Sequence, residues 1–155
     1  MKVRIIAVGK LKERFWKDAV EEYKKRLGAY ANVEIVEIPD RDPEKAGGDQ
    51  KAMQAEGVDI MKALGQSYGI AMAIEGKQRS SEQLSKHLND LMVSGQSEIA
   101  FIIGGSTGLS DEVKKVAKEQ LSFGPITMPH NLARVVLLEQ IYRSFKIMRN
   151  EPYHK

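Results

Sequence analysis

The residues best suited to chemistry lie in two segments rich in glycine and proline. The first reads GGSTGLS over residues 104–110 and directly follows a short apolar run. Glycine permits positive φ angles and lets a ligand approach the backbone closely, as in a cofactor-binding turn. The segment matches neither the dinucleotide-binding glycine pattern nor the phosphate loop with its Lys-Ser/Thr pair. An adenosine-type cofactor held by backbone groups is therefore favoured over a nucleoside triphosphate, although a tight strand-to-helix turn without a ligand has the same composition.

The second segment reads LSFGPITMPHNLAR over residues 121–134. Its two Xaa-Pro pairs restrict the path of the backbone, and Pro129 is suited to the start of a helix. His130 and Arg134 then stand one turn apart on the same helix face, directly after a Gly/Pro-rich loop at the edge of the predicted sheet. We therefore predict both as catalytic residues, with a structural hydrogen-bonding histidine as the alternative.

The C-terminal tail, EPYHK over residues 151–155, is a third candidate. Tyr153 and His154 can stack on unpaired bases, and a terminal lysine can meet phosphate. The alternative is a polar tail without a function, since chain ends are often poorly ordered.

Hydrophobic periodicity alternates between strand and helix patterns along the chain. Strands are predicted over residues 3–8, 33–38, 68–74, 99–103 and 123–128, the third of them stopped by Gly76. Helices are predicted over residues 11–27, 50–64, 81–93, 111–119 and 129–149, with a loop over residues 40–49. This alternation predicts a single α/β domain over residues 1–155, with a mostly parallel sheet of five to six strands and helices on both faces. Because ligands bind at the carboxyl ends of parallel strands, the turns at 72–76, 104–110 and 121–130 should form the site.

The composition excludes several classes of protein. The 155 residues include no cysteine and three widely separated histidines, which excludes disulfides and makes a metal enzyme an unfavoured interpretation. No apolar stretch is long enough to span a bilayer, so a cytoplasmic protein is expected. The net charge is +3, but residues 1–31 hold nine Lys/Arg against four Asp/Glu, and residues 130–155 hold five against two. If folding brings these ends onto one face, that face will attract a polyanion; otherwise they are two solvated helix faces.

The last predicted helix is apolar on more than one face. A helix that buries one stripe on its own sheet needs fewer apolar residues. The surplus favours a homodimer formed through this helix over the alternative of a fully buried central helix.

Five blocks of the sequence stand out: MKVRIIAVGK at 1–10, IIGG at 102–105, MPH at 128–130 with Arg134, EQIYR at 139–143 and PYHK at 152–155. Together they closely resemble one known family, the ribosomal large-subunit methyltransferase H family of the SPOUT superfamily. The resemblance implies a homodimeric enzyme with a C-terminal trefoil knot. It also implies methylation of N3 of a pseudouridine in 23S rRNA, on the assembled ribosome and with S-adenosylmethionine as the methyl donor.

The resemblance also assigns cofactor-binding positions, which fall on the three turns named above. They are Met72, Gly104, Phe123, Gly124, Pro125, Ile126, Thr127 and Met128. The chain departs from the family pattern at Met72, where leucine is common, and at Ala73, where an acidic residue is common. Two other classes of function remain as alternatives: a non-catalytic, ribosome-associated RNA-binding dimer, and a doubly wound nucleotide- or flavin-binding protein.

Overall fold

A parallel sheet of five strands forms the centre of the computed structural model, which describes residues 1–153. The strands are β1 (Lys2–Val8), β2 (Asn32–Ile38), β3 (Tyr68–Gln78), β4 (Glu98–Ile103) and β5 (Glu119–Ser122). The helices are α1 (Arg14–Leu27), α2 (Pro43–Ala46), α3 (Asp49–Leu64), α4 (Ser81–Val93), α5 (Asp111–Val116) and α6 (His130–Met148). The strand order is β2-β1-β4-β3-β5, and every pair is parallel. The predicted α/β class and parallel sheet are therefore confirmed.

The sheet is apolar on both faces because both faces are covered by helices. Along β1, Ile5 and Ala7 point into a core with α1, α4 and α6, whereas Ile6 and Val8 point into a core with α3 and α5. The alternation of side chains along a strand assigns neighbouring residues to opposite cores. None of the helices within residues 1–153 is both long and apolar enough to cross a membrane.

Two helix starts follow directly from local sequence. The Ser80 hydroxyl accepts a hydrogen bond from the backbone N–H of Gln83, whose side chain accepts one from the Ser80 N–H, so α4 begins with a capping box. The Ser110 hydroxyl accepts a hydrogen bond from the Val113 N–H, which confirms the predicted cap of α5.

The fifth strand was predicted in the wrong place. It covers Glu119–Ser122, and residues 123–128 form an irregular loop instead. Gly124 has a φ angle of +98°, which lies outside the β region. Pro125 has no backbone N–H and so cannot donate a hydrogen bond to a neighbouring strand. The helix before it accordingly ends at Val116 rather than at Glu119.

Three other boundaries also differ from the sequence-based expectation. The predicted loop at 40–49 contains the short helix α2, which Asp42 caps by accepting a hydrogen bond from the Glu44 N–H. The first helix begins at Arg14 rather than at residue 11. The third strand continues beyond Gly76 to Gln78, because the chain loops out after Met72 and then returns to pair with β5.

Candidate active site

The three predicted turns meet at the carboxyl edge of the sheet around a cavity of about 690 Å³. All but one of the predicted cofactor positions line it, namely Met72, Gly104, Phe123, Gly124, Ile126, Thr127 and Met128. Pro125 lies within the same loop but is not among the lining residues. A cavity of this size is in the range that accommodates a small-molecule cofactor.

Close packing explains the glycines of the 104–108 turn. A Cβ atom on Gly104 would lie 2.9 Å from the carbonyl carbon of Gly108, and one on Gly105 would lie 2.9 Å from Cγ1 of Val8. Gly108 itself has a φ angle of +82°, which side chains disfavour. The turn can therefore hold its backbone against the cavity only with glycine at these positions.

The loop at 123–128 is tied to the opposite wall of the cavity through Ser122. Its hydroxyl donates a hydrogen bond to the carbonyl oxygen of Ile74 at 2.8 Å and accepts one from the N–H of Gly124 at 3.0 Å. The Ser122 side chain is buried, so these contacts are shielded from water. The two walls of the cavity are therefore connected by one residue at the end of β5.

The wall at 73–76 crosses β5 at very close range. Leu121 is opposite both Met72 and Lys77 in the strand register, so residues 73–76 loop out between these two pairings. A Cβ atom on Gly76 would lie 2.8 Å from backbone atoms of Gln120 and Leu121. Only glycine fits this crossing without a shift of the backbone.

A buried carboxylate on α3 contacts the turn at residues 104–108. Glu56 of α3 is only 3% exposed, and it accepts a hydrogen bond from the backbone N–H of Arg41 at 2.8 Å. Its other oxygen lies 3.5 Å from the Thr107 hydroxyl. Glu56 thus connects the loop after β2 with the turn that lines the cavity.

His130 is the only one of the four predicted catalytic residues that lines the cavity within the described part of the chain. Its ring packs against Gly9, where a Cβ atom would lie 2.9 Å from Cε1 of the imidazole. The Nδ1 atom is buried and has no hydrogen-bond partner among residues 1–153. The imidazole is therefore not held by a hydrogen bond at Nδ1, and its position is set by packing against Gly9.

The surroundings of His130 favour the neutral imidazole. Burial lowers the pKa of His130 below its ordinary value, and the positive charge of Arg134 lowers it further. The carboxylates of Asp40, Glu37 and Glu13 act in the opposite direction but do not reverse the shift. At neutral pH the ring can therefore accept a hydrogen bond or a proton.

Arg134 is fully buried, and its guanidinium points away from the cavity. Its Nη1 donates to Oε2 of Glu37 at 2.8 Å, and its Nη2 donates to the carbonyl oxygen of Gly9 at 3.2 Å. The same Oε2 of Glu37 accepts a hydrogen bond from the N–H of Leu11 at 3.2 Å. In this arrangement Arg134 does not reach a substrate phosphate; it fixes the chain after β1 against the start of α6, beside His130.

Tyr153 lies on a different surface of the same protomer. Its hydroxyl donates to Glu139 at 2.9 Å, and its ring is 5.0 Å from that of Tyr142. Tyr153 is not among the residues that line the cavity. His154, the fourth predicted catalytic residue, lies outside the described residues.

The structure brings basic residues of α1 and α6 to the same aromatic ring. Arg26 of α1 lies 5.9 Å from the ring centre of Tyr142, and Lys146 of α6 lies 5.5 Å from the same centre. Acidic neighbours balance part of this charge, since Arg26 pairs with Glu22 and Lys146 pairs with Glu151.

Sequence reasoning missed three residues that organise the site: Glu37, Glu56 and Ser122. For Glu56 a signal existed, because Ala52, Ile60 and Leu64 make an apolar stripe at four-residue spacing that this single carboxylate interrupts. Ser122 and Glu37 stand at ordinary strand positions and carry no comparable signal. Lys114 and Glu75 form an ion pair at the rim of the cavity that also has no local signature.

Known proteins resemble this chain over its whole length. Residues 1–154 match the family described as Predicted SPOUT methyltransferase. The protein named ribosomal RNA large subunit methyltransferase H is 51% identical in Lactobacillus acidophilus and 52% identical in Bacillus cytotoxicus, with both chains fully covered. A probable methylase family protein from Haemophilus influenzae Rd KW20 shares the fold, with a TM-score of 0.60 at 13% identity over 99% of this chain and 70% of that one.

Proposed function

Because the chain belongs to the SPOUT methyltransferases and to the family of ribosomal RNA large subunit methyltransferase H, it is an rRNA methyltransferase, and we propose that its cavity binds S-adenosylmethionine. The single observation that supports this proposal most directly is the meeting of the three turns around one cavity next to His130. We further propose the pseudouridine N3 atom of 23S rRNA as the methyl acceptor and the assembled ribosome as the substrate. A ribosomal substrate would place the enzyme in the cytoplasm.

The residues present fit this cofactor. The cavity offers apolar side chains such as Leu109 and Ile126 for an adenine ring, and backbone groups of two irregular loops for polar contacts. Gly104, Gly105 and Gly108 carry no side chain, and all three line the cavity. The residues that would hold the cofactor are those of the 104–108 turn, the 123–128 loop and Met72.

S-adenosylmethionine supplies a methyl group on a sulfonium, so transfer to a ring nitrogen requires in-line approach and the loss of one proton from that nitrogen. The chain contributes mainly alignment, which is a large part of the rate enhancement in such a displacement. The loops tied together by Ser122 hold the two sides of the cavity at a fixed separation. The neutral ring of His130 accepts a hydrogen bond or proton from the base, and Arg134 positions that ring through Glu37 and Gly9.

The active site is completed by a second protomer in this proposal. Tyr153 is bound to the α6 surface and does not line the cavity of its own chain, so the tail can act only after it moves or across a dimer. The first half of α6 supports a dimer, because Leu132, Val135 and Val136 are apolar and remain half-exposed. Sedimentation velocity would test this directly, and a monomer at micromolar concentration would contradict it.

The close crossing at Gly76 supports a trefoil knot at the C-terminal end of the sheet. In a knot, one loop must encircle a second segment of chain; here residues 73–76 loop out beside β5, and Gly76 lies too close to the β5 backbone for a Cβ atom. Knots are rare, so this proposal rests on family membership together with the crossing.

The decisive experiment is incubation of the purified protein with methyl-labelled S-adenosylmethionine and ribosomes, followed by mass spectrometry of the rRNA. We expect one labelled pseudouridine in 23S rRNA from whole ribosomes and little label in naked rRNA. Label on another nucleotide would refute the proposed acceptor, and equal label on naked rRNA would refute the ribosomal context. Ribosome binding without any label would favour the non-catalytic RNA-binding dimer.

A matched variant tests the tail. His154→Ala should leave the dissociation constant for S-adenosylmethionine unchanged in titration calorimetry while greatly reducing methylation. Pro152→Ala, at an exposed position two residues earlier, serves as the control for general disturbance of the tail. Unchanged turnover of His154→Ala would remove this histidine from the mechanism.

A further inference from the structure

The segment between β1 and the first turn of α1, residues 10–17, is rich in exposed positive charge. It reads KLKERFWK, and all four of its cationic side chains are exposed. They are Lys10, Lys12, Arg14 and Lys17. The segment contains one carboxylate, Glu13, so its local charge is strongly positive.

These cations do not stabilise the helix on which they stand. The helix begins without a side-chain cap at Glu13, and its first turn contains no acidic residue. Arg14 and Lys17 therefore lie near the positive end of the helix dipole, where a cation is unfavourable. The contact of Arg14 with Asp18 joins side chains that are 89% and 69% exposed, and such surface pairs contribute little.

An exposed aromatic ring lies among these charges. Phe15 is 64% exposed, while its neighbour Trp16 is half-buried and packs against the core. The two ring centres are 5.0 Å apart and tilted by 51°. Trp16 thus supports one side of the Phe15 ring and leaves its other surface open to solvent. Exposed aromatic rings among cations are typical of surfaces that bind unpaired nucleotides.

The segment is fixed beside the catalytic histidine. It follows Gly9, whose backbone packs against the His130 ring. The N–H of Leu11 shares the Glu37 carboxylate with Arg134, so α6 and this segment are held by one ion pair. Residues 10–17 do not line the cavity themselves, but they follow directly on the residue that packs against the His130 wall of the cavity.

We propose that residues 10–17 form a docking surface for the rRNA substrate, with the cations on backbone phosphates and Phe15 stacked on an unpaired base. This inference rests on the proposed function, and it goes further by naming where the RNA lies. Charge favours RNA over a second copy of the chain, because a symmetric contact would bring two basic segments together. The partner is therefore a polyanion whose unpaired bases are accessible.

The test uses two variants of the full chain and two matched controls. Lys12→Gln/Arg14→Gln removes two charges from the surface, and Lys62→Gln/Lys118→Gln removes two exposed charges at the opposite edge of the sheet. Phe15→Ala removes the exposed ring, and Val93→Ala shortens another exposed apolar side chain on α4. Each protein is measured for ribosome binding by co-sedimentation, for methylation kinetics and for S-adenosylmethionine binding.

We expect the surface variants to weaken ribosome binding and raise KM without a change in cofactor affinity. Loss of two phosphate contacts should lower the slope of log binding constant against log salt by about 2. Phe15→Ala should weaken binding roughly fivefold to a hundredfold, as expected for the loss of one stacked base, and Phe15→Trp should restore it. The controls should resemble the wild type.

Three results would overturn the inference. They are unchanged ribosome binding by both surface variants, equal losses in the controls, and conversion of the protein to monomers by Phe15→Ala, which would make this face a contact between copies. The proposed function fails separately, since a wild-type protein that binds ribosomes but does not methylate them refutes catalysis. Selective loss of that binding in the surface variants would still support the docking surface.

Discussion

Removal of Glu37 should destabilise the protein more than removal of Arg134, although the two residues form one ion pair. Arg134 is fully buried, whereas the side chain of Glu37 is 35% exposed. Glu37→Ala leaves a buried cation without its counter-charge, which costs about 4 kcal/mol of unfolding free energy. It also removes the acceptor of the Leu11 N–H, which adds about 1 kcal/mol.

Arg134→Met should cost less, for two reasons. Methionine fills much of the volume of the arginine stem, and the carboxylate left behind at Glu37 can be hydrated because it is partly exposed. We estimate a loss of about 2 kcal/mol from the two hydrogen bonds of Arg134 to Glu37 and Gly9.

The double variant Glu37→Ala/Arg134→Met provides the critical comparison. Without a buried cation it should lose about 3 kcal/mol, which makes it more stable than Glu37→Ala alone. Urea unfolding followed by circular dichroism measures all three variants, at one protein concentration because a dimer gains stability with concentration. A double variant with the summed loss of both single variants would show that Arg134 and Glu37 act independently and would refute the reasoning.

The remaining predictions concern the walls of the cavity. Gly76→Ala should lower the unfolding free energy by about 1–3 kcal/mol and weaken cofactor binding, because its Cβ would collide with the backbone of β5. The control Gly28→Ala, at the end of α1, should change both quantities little. Equal effects of the two variants in thermal unfolding and calorimetry would contradict this prediction. An NMR titration should give a pKa for His130 below its ordinary value, and a higher pKa for His130 in Arg134→Met. An ordinary pKa in both proteins would show that Arg134 does not lower the pKa of His130. In the wild type, the lowered pKa means that His130 binds a proton less readily in the folded chain than in the unfolded chain. The stability of the protein should therefore fall as the pH decreases from about 6.5 through the lowered pKa of His130. Glu56→Ala should weaken S-adenosylmethionine binding at least fivefold in calorimetry, which corresponds to roughly one lost hydrogen bond. Glu56→Gln should restore most of this affinity. Unchanged affinity in Glu56→Ala would show that this carboxylate does not hold the glycine turn in place for the cofactor.

Local sequence signals were sufficient for the sheet and for the position of the site. The short apolar runs of β1 and β4 favoured buried strands, and Ser110 after the glycine turn favoured a helix N-cap; the structure confirms both. The rule that ligands bind at the carboxyl ends of parallel strands then selected the same three turns that line the cavity. These features depend on neighbours in sequence, so a single chain is enough to predict them.

The misplaced fifth strand shows where such signals fail. Residues 123–128 contain phenylalanine, isoleucine, threonine and methionine, which favour a strand by composition. Gly124 at positive φ and Pro125 instead make the segment a loop, whose path is fixed by the distant carbonyl of Ile74 through Ser122. A contact across 48 residues has no local pattern.

The orientation of Arg134 follows from the same limitation, and it changes how the site is understood. From its spacing to His130, the guanidinium could equally face a phosphate or the protein interior. The choice is made by Glu37, on a strand 97 residues away in sequence, whose carboxylate binds Arg134 and the Leu11 N–H together. One ion pair thereby sets the position of His130 and of the basic segment at 10–17. In the proposed mechanism, the groups that contact substrate and the groups that hold them are different residues. Glu37→Ala should then reduce both catalysis and RNA docking, because Glu37 holds Arg134 beside His130 and holds the N–H of Leu11 in the basic segment.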